Sequence, residues 1–429
     1  MKRYDLYKDS GIEWIGEIPS HWDVKKIKYH FDLIMGQSPN SEDCNQNGMG
    51  IPFLQGNADF SFLNPIPQIW CIKPTKIAPT NSVLLSVRAP IGEVNIADQK
   101  YCIGRGLCTI ISNNPEYLYY NLICLNDELN SLGTGSTFKA ISTEQILNTF
   151  TVIPTLAEQT VIASFLNYKA TEIDQLIADK KRLIELYEEE KTAIINQAVT
   201  KGIDFNVKLK DSGIEWLGKI PEHWEIKRFD FLFSFYRGLT ITKENLTKEG
   251  IPCVNYGEIH SKYGFEVNPN RDILMCVNKD YLISSEKSLL KRGDFVFADT
   301  SEDIKGSGNF TYLNSDIPTF AGYHTIIANP IDKFIHRFVA YFFESLSFRN
   351  QIRCKVTGTK VYSVTQSILK STFVALPPLS EQEAITRYIE TECSRIDAKI
   401  SKTKKLVDLL TEYRATLISE VVTGKIKVI

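Results

Sequence analysis

Several kinds of segment are missing from this sequence. No run of eighteen apolar residues occurs, so the sequence predicts no transmembrane helix. The N-terminal MKRYDLYKDSG lacks the apolar stretch of a secretory signal. The nine cysteines include no CxxC pair, which favours reduced thiols in a cytoplasmic protein. Because the net charge is only −2, any nucleic-acid interface must depend on local patches and not on bulk charge.

Motifs for catalysis and metal binding are also missing. There is no GxxxxGK[ST] phosphate loop, no Asx-Pro-Pro-aromatic stretch as in amino-methyltransferases acting on bases, and no HxE or HExxH pattern. One weak nuclease-like pattern remains, Asp294 with Asp303 and Lys305, and the first half of the chain has no counterpart to it. A polar surface loop is the simpler interpretation of these residues. The histidine and cysteine patterns therefore predict a chain without a metal site.

A tandem repeat is present instead. DSGIEWIGEIPSHW from Asp9 returns as DSGIEWLGKIPEHW from Asp211, with 11 of 14 positions identical, and IPTLAEQ from Ile153 returns as LPPLSEQ from Leu376. The Pro and Gly of the first phrase predict a turn. Its aromatic residues are predicted to be packing anchors: Trp14, Trp22, Trp216 and Trp224.

The repeated histidines, His21 and His223, lie inside the first phrase. No orienting carboxylate or nucleophile is evident near either one in the sequence, and two identical copies suit two equivalent structural joints better than one active site. We therefore interpret both histidines as structural.

The segments between the repeated motifs predict a mixed α/β fold. NSVLLSVRAP, GLCTIIS, RGDFVFADT and AGYHTIIANP are short apolar runs bounded by Gly, Pro or Asn, as strands are. PEYLYYNLICLNDEL and DKFIHRFVAYFFESL repeat apolar residues every three or four positions, as helices do.

Two long helices are predicted, from about Ala157 to Thr200 and from about Ser380 to Thr423, because neither stretch contains Pro or Gly. Each would be about 65 Å long. Their apolar residues recur with a step near 3.5, which is typical of a coiled coil, and Ser380 with Glu383 has the spacing of a capping box. The predicted seam comprises Ile162, Leu166, Ile173, Ile177, Leu183, Ile194, Ile385, Ile389, Ile396, Ile400, Leu406, Leu410 and Leu417.

Polar, glycine-containing loops are the candidate DNA-binding elements. Backbone N–H groups and lysines in such loops can hold phosphates, and Arg, Asn and Gln can recognise base edges. Any one such loop is more simply a turn, but loops at matched positions in both halves favour binding. The candidates are Gln55, Asn57, Arg88, Arg105, Ser136, Thr137, Lys139, Arg237, Asn255, Tyr256, Lys305, Tyr323, His324, Thr359 and Lys360.

The duplicated phrase, the two PxLxEQ-type helix starts and the twin long helices together closely resemble the specificity subunits of type I restriction-modification systems. The resemblance spans essentially the whole chain. It implies two target-recognition domains, residues 1–153 and 204–376, separated by two antiparallel coiled-coil helices in 154–203 and 377–429, with approximate twofold symmetry from the internal repeat.

The resemblance also implies a role and partners. The chain would recognise a bipartite, asymmetric DNA site in the cytoplasm, with one domain for each half-site, and would hold no catalytic residue. Two modification subunits would bind S-adenosylmethionine and methylate adenine, and restriction subunits would use ATP and Mg²⁺. Two alternatives remain open at this point: a coiled-coil scaffold without a DNA role, and an enzyme in its own right, a nuclease or a methyltransferase.

Overall fold

The computed structural model describes residues 2–135 and 139–428. The chain forms two compact units: the first comprises residues 1–181 and 404–429, and the second comprises residues 182–403. Each long helix therefore contributes one part to each unit. Among the described residues, no helix combines the length and the apolar character that a bilayer crossing needs.

The first unit contains small sheets covered by helices. Its sheet orders are β1–β2, β10–β9–β12–β4, β5–β7–β6–β11–β8 and β13–β3. The strands are β1 (Tyr7–Asp9), β2 (Glu17–Pro19), β3 (Asp23–Lys26), β4 (Asp32–Met35), β5 (Cys44–Asn45), β6 (Ile51–Leu54), β7 (Ile69–Cys71), β8 (Ile77–Ala78), β9 (Val83–Ser86), β10 (Val94–Ile96), β11 (Tyr101–Ile103), β12 (Leu107–Ile111) and β13 (Phe150–Ile153). The helices are α1 (Pro115–Cys124), α2 (Asn126–Leu132), α3 (Thr143–Asn148) and α4 (Leu156–Lys201).

The second unit has sheets of order β14–β15, β16–β28, β17–β26–β22–β24–β19, β20–β18–β25–β21 and β23–β27. The strands are β14 (Leu209–Asp211), β15 (Lys219–Pro221), β16 (Glu225–Arg228), β17 (Phe233–Arg237), β18 (Ile251–Val254), β19 (Phe265–Val267), β20 (Cys276–Val277), β21 (Leu289–Leu290), β22 (Phe295–Ala298), β23 (Thr300–Ser301), β24 (Phe310–Leu313), β25 (Thr319–Ala321), β26 (Thr325–Pro330), β27 (Tyr362–Ser363) and β28 (Phe373–Leu376). The helices are α5 (Phe229–Leu232), α6 (Tyr256–Ser261), α7 (Tyr281–Ser284), α8 (His336–Glu344), α9 (Leu346–Arg353), α10 (Gln366–Lys370) and α11 (Leu379–Val422).

The two units share one topology. The first has β9 paired with β10 and β12, and β12 with β4; the second has β22 paired with β24 and β26, and β26 with β17. The parallel pair β6–β11 corresponds to the parallel pair β18–β25. Strand β19 adds to the second unit alone, within the described residues, by pairing parallel to β24. The structure confirms the mixed α/β class, and the six short segments predicted as strands or helices have the predicted type.

Each repeated opening phrase forms a hairpin. Strand β1 pairs with β2, and β14 pairs with β15, in the same register. Trp22 and Trp224 are buried in the cores of their units, at 0% and 1% exposure. Trp14 is only half-buried, and Trp216 is 40% exposed. The prediction of a packing anchor is therefore correct for the second tryptophan of each phrase and wrong for Trp216, which lies in the solvent-facing loop of the hairpin.

The long helices α4 and α11 pack against each other in antiparallel directions. In the first unit, Asp174 of α4 forms an ion pair with Arg414 of α11 at 2.9 Å. In the second unit, Lys191 of α4 forms an ion pair with Asp397 of α11 at 2.7 Å. Since residue numbers rise along one helix as they fall along the other, the predicted antiparallel pair is confirmed.

Burial along the predicted seam is uneven. Eight seam residues are buried: Ile162, Leu166, Ile173, Ile385, Ile389, Ile396, Ile400 and Leu417. Ile162, Leu166, Ile173 and Leu417 belong to the core of the first unit, and Ile385 and Ile389 belong to the core of the second. Ile177, Leu183, Ile194 and Leu410 are half-buried. Leu406 is 39% exposed, so its predicted place in a buried seam is wrong.

The helix starts are also resolved. Helix α11 begins at Leu379, which places Ser380 inside the helix, so the predicted capping box of Ser380 and Glu383 is wrong. In α4, the capping pair is Thr155 with Glu158. The Thr155 N–H donates to Glu158 Oε2 at 3.1 Å, and the Glu158 N–H donates to Thr155 Oγ1 at 3.4 Å.

Candidate nucleic-acid interface

A cluster of loops forms at one end of the sheet β10–β9–β12–β4. We call residues 36–38, 55–57, 87–90, 104–106 and 139–141 the first loop cluster. The pairing of Leu107 with Ser86 continues through the Val87 N–H, which donates to the Gly106 carbonyl at 2.9 Å. This register brings Arg88 and Arg105 to neighbouring positions just beyond the strands.

Hydrogen bonds from backbone N–H groups join the remaining loops to the two segments that carry these arginines. The Ala89 N–H donates to the Lys139 carbonyl at 3.1 Å, and the Gly106 N–H donates to the Gln55 carbonyl at 3.2 Å. The Arg105 N–H donates to Ser38 Oγ at 3.3 Å. The side chains of Gln55, Arg88, Arg105 and Lys139 are all exposed. Four of the candidates thus lie together on one polar surface.

Three further candidates come from the first half of the chain: Asn57, Ser136 and Thr137. Asn57 is half-buried at the start of a short 3₁₀ helix, Asn57–Asp59. Ser136 and Thr137 lie outside the described residues.

The equivalent loops of the second unit form the second loop cluster, residues 238–240, 255–257, 299–306, 322–324 and 357–363. Here Thr325 pairs with Ala298, and the Asp299 N–H donates to the His324 carbonyl at 3.1 Å. That bond matches the one between Val87 and Gly106. Ser363 pairs with Thr300 as Ala140 pairs with Arg88. The two clusters therefore occupy the same place in the same topology.

Aromatic and basic side chains line the second loop cluster. Tyr256 contacts the rings of Tyr323 and His324 edge-on, with centroids 5.6 and 5.3 Å apart. His324 is exposed, and its backbone has a φ of 54°, a left-handed conformation that histidine adopts more readily than most residues. The other candidates of this unit, Arg237, Lys305, Thr359 and Lys360, are also exposed.

Asn255 differs from the other candidates. It is 2% exposed, and its backbone N–H and side-chain amide both lie within hydrogen-bond distance of Glu258 Oε2, at 3.2 and 3.3 Å. Its side chain caps helix α6 from inside the domain. The expectation that Asn255 contacts DNA is corrected on this ground, since a buried, engaged amide presents nothing to a base edge.

A cleft of about 410 Å³ adjoins the second loop cluster, between α6 and the 300–306 loop. His260 lies in its wall. The His260 Nδ1 accepts from the Asn309 amide at 2.8 Å, and Nε2 donates to the Thr300 carbonyl at 2.8 Å. Since both ring nitrogens are engaged, His260 supports the loop and offers no free group to a ligand.

The nuclease-like residues do not form one site. Asp294 is 3% exposed, and burial raises its pKa to about 6. Its carboxylate accepts from the Lys291 N–H and the Asn329 amide, whereas the Asp303 carboxylate accepts from the Gly306 N–H at 2.6 Å. No group of three or more metal-type ligands occurs within residues 2–135 and 139–428.

The repeated histidines have a carboxylate partner that the local sequence does not reveal. His21 Nε2 lies 2.8 Å from Glu158 Oε1, and the Trp22 indole N–H donates to the same oxygen at 3.1 Å. His223 and Trp224 contact Glu381 at the same two distances. The carboxylate comes from a residue 137 positions away for His21 and 158 positions away for His223, so it is not evident near either histidine in the sequence.

We call each of these three-residue groups an anchor joint. The glutamate comes from the repeated AEQ or SEQ motif at the start of the long helix, so each joint fastens the opening hairpin to that helix. Burial raises the pKa of Glu158, but hydrogen bonds from Thr155, His21 and Trp22 outweigh this, and its pKa lies below its ordinary value. The sequence does contain a signal for this contact, because the His-Trp pair and the glutamate recur together at matched positions in both halves.

Two specificity domains account for this repeated architecture. The family model for the type I restriction modification DNA specificity domain matches residues 19–186 and again residues 221–406. The chain therefore belongs to the type I restriction modification DNA specificity family. Membership assigns it to DNA specificity and not to catalysis.

Individual relatives agree with this. The type I restriction enzyme MjaIX specificity subunit of Methanocaldococcus jannaschii is 24% identical over 96% of this chain and 95% of its own length. A protein of the same organism assigned as the MjaX specificity subunit is 42% identical over 43% of this chain, and the match spans less than half of that relative, 44%.

Solved structures show the same fold. A chain described under the assembly and conformational transition of the type I R-M system aligns with a TM-score of 0.74 over 95% of this chain and 99% of its own, at 14% identity. The HsdS subunit from Thermoanaerobacter tengcongensis aligns with a TM-score of 0.54 over 95% and 98%, also at 14% identity. At such identities the likeness supports the fold alone.

Proposed function

We propose that this protein is the DNA-recognition subunit of a type I restriction-modification complex in the cytoplasm. Each domain recognises one half of a bipartite, asymmetric site through its loop cluster. The observation that carries the proposal is the pair of loop clusters: they share one backbone arrangement, yet Arg88 and Arg105 dominate one and Tyr323 and His324 the other. A repeated framework with different exposed side chains suits two different half-sites.

The proposed contacts follow from side-chain chemistry. Arg88 and Arg105 can each donate two hydrogen bonds to a guanine, and Lys139 can contact a phosphate. In the second unit, the candidate phosphate or base contacts are Arg237, at the end of β17, and Lys305 and Lys360 of the second loop cluster. Tyr256, Tyr323 and Thr359 of the same cluster are further candidates. The domain bounds 1–153 and 204–376, with helical segments 154–203 and 377–429 between and after them, belong to the proposal. So does a spacer role for the helix pair.

The partners are also proposed. Two nearly equivalent halves in one chain suit two copies of a partner, which we take to be modification subunits that bind S-adenosylmethionine and methylate adenine. Restriction subunits would supply ATP- and Mg²⁺-dependent chemistry. No such cofactor is assigned to this chain.

Methylation mapping tests the proposal. The full chain is expressed with its modification subunits, and the host genome is sequenced by a method that detects methyladenine. We expect one bipartite, asymmetric motif with a fixed spacer. Methylation of a single continuous motif, or none with all subunits present and assembled, would contradict it.

A further inference from the structure

The second loop cluster contains an acidic partner for its exposed histidine. Asp299 Oδ1 lies 3.2 Å from His324 Nδ1. Asp299 directly follows β22, and His324 directly precedes β26, its paired strand. The Asp299 N–H also donates to the His324 carbonyl. The edge of the Tyr256 ring closes a further side of the imidazole. The histidine is thus held by a carboxylate, by backbone and by an aromatic ring.

This arrangement decides which ring nitrogen carries a proton. An ionised carboxylate can only accept hydrogen bonds, so the Nδ1 that faces Asp299 must donate. In the neutral ring, Nε2 then carries a lone pair and is an acceptor. The His324 side chain is 56% exposed, whereas both nitrogens of nearby His260 are engaged. Of these two histidines, His324 is the one positioned to contact a ligand.

The first loop cluster has no such acceptor. The positions equivalent to Asp299 and His324 are Val87 and Gly106, as their matching backbone bond shows. Its loops carry Arg88, Arg105 and Lys139 but no carboxylate, whereas residues 299–306 include Asp299, Glu302 and Asp303. Charged donors dominate the first cluster, and the second adds an oriented acceptor.

We propose that Asp299 fixes His324 as a hydrogen-bond acceptor for a base amino group in the second half-site. In the major groove, adenine N6 and cytosine N4 present amino donors where guanine O6 and thymine O4 present acceptors. His324 therefore selects adenine over guanine, or cytosine over thymine, at one contacted base. Asp299 is the positioning residue. This inference depends on the proposed function and adds the chemistry of one base contact to it.

The test uses the full chain assembled with its modification subunits. The variants are Asp299→Asn and His324→Phe, and the matched control is Glu249→Gln, which removes one negative charge from an exposed position of the same unit outside the second loop cluster. An asparagine can offer Nδ1 either an oxygen or an NH₂ group, so it no longer fixes the tautomer. We expect Asp299→Asn and His324→Phe to relax discrimination about ten-fold at the same single base of the second half-site. Glu249→Gln should keep the wild-type motif.

A single-group change in the DNA separates recognition from a structural effect. At the affected base, adenine is replaced by purine, or cytosine by 2-pyrimidinone, so that only the amino group is lost. Wild-type complex should bind about ten-fold more weakly, and the His324→Phe complex should lose nothing further. Equal losses in both complexes, an unchanged motif in both variants, or guanine or thymine at the affected base would overturn the inference. Loss of both half-sites together would instead contradict the proposed function.

Discussion

The two loop clusters show how one backbone arrangement serves two different surfaces. In each unit, a strand end, a glycine-containing turn and a returning loop meet through matching hydrogen bonds. Arg88 and Arg105 project from the first, and His324, oriented by Asp299, projects from the second. The framework is set by strand pairing, which depends on buried residues. The exposed residues can therefore differ without changing the fold.

Net charge does not reveal this difference. Residues 1–153 carry 12 basic and 15 acidic side chains, and residues 204–376 carry 22 and 20. The more acidic segment nevertheless has the loop cluster without carboxylates, while the more basic one places Asp299, Glu302 and Asp303 in its cluster. Since salt screens charges beyond about 10 Å, the local set matters for a DNA contact and the segment total does not.

Exchange of a whole domain is the most severe test of this comparison. Replacing residues 204–376 with the corresponding domain of a relative should change the entire second half-site and leave the first unchanged. The reason is that all loops of one cluster belong to one unit. Methylation mapping of the chimaera measures both halves at once. A change in both half-sites would show that the two clusters do not act separately.

Single substitutions should have smaller effects that differ between the clusters. Arg88→Ala or Arg105→Ala should each weaken binding by about 1–3 kcal/mol if the side chain is bidentate to a guanine. Specificity should relax at one base of the first half-site. Fluorescence anisotropy with single-base variants of the DNA measures this. Normal affinity in both variants would show that neither arginine contacts the DNA.

Lys139→Ala is the companion variant for the arginines. As a phosphate contact it should weaken binding to all sequences alike and reduce the salt slope by about one unit. A loss confined to one base would show that Lys139 recognises a base instead.

The sequence predicted the elements better than it predicted their contacts. Periodicity located α4 and α11 within a residue or two, because no Pro or Gly interrupts either stretch. It did not predict that Leu406 is exposed, since burial depends on what covers a helix and not on the helix alone. Asn255 was misjudged for a similar reason: its capping bond to Glu258 is invisible in a pattern of polar residues next to glycine.

Contacts between distant residues explain most of what was missed. His21 and Glu158 are 137 positions apart, and His324 and Asp299 are 25 apart. Repetition of both motifs at matched positions was a usable signal for the first pair. The second pair occurs in one unit only and became evident from strand register, which joins the end of β22 to the start of β26.

The two anchor joints offer a second comparison, because they have the same contact distances but their glutamates are buried to different extents. The Glu158 side chain is 11% exposed and that of Glu381 is 25% exposed. Glu158→Ala should lower the free energy of unfolding by about 1–3 kcal/mol, because the buried Trp22 N–H loses its acceptor. Glu381→Ala should cost less, since water can reach Trp224 more readily. Chemical unfolding measures both.

Glu383→Ala serves as the control for these two variants. Its side chain is 57% exposed, and its ion pair with Arg387 spans 4.0 Å, so its loss should change stability by less than about 1 kcal/mol. Equal losses for Glu158→Ala and Glu383→Ala would show that the joint adds nothing to stability.

The smallest expected effect is the pH dependence of the first joint. Because the pKa of Glu158 is lower in the folded protein than its ordinary value, the ionised carboxylate stabilises the fold. That contribution is complete above the unfolded-state pKa, about 4.3 for a glutamate, and is lost as the pH falls through the folded-state pKa. Glu158→Gln removes the titrating group, while Glu381→Gln, measured in parallel, reports on the second joint. The stability difference between wild type and Glu158→Gln should shrink below about pH 4. A difference that stayed constant down to the acid-unfolding limit would show that hydrogen-bond geometry, and not the charge of Glu158, holds the hairpin to its helix.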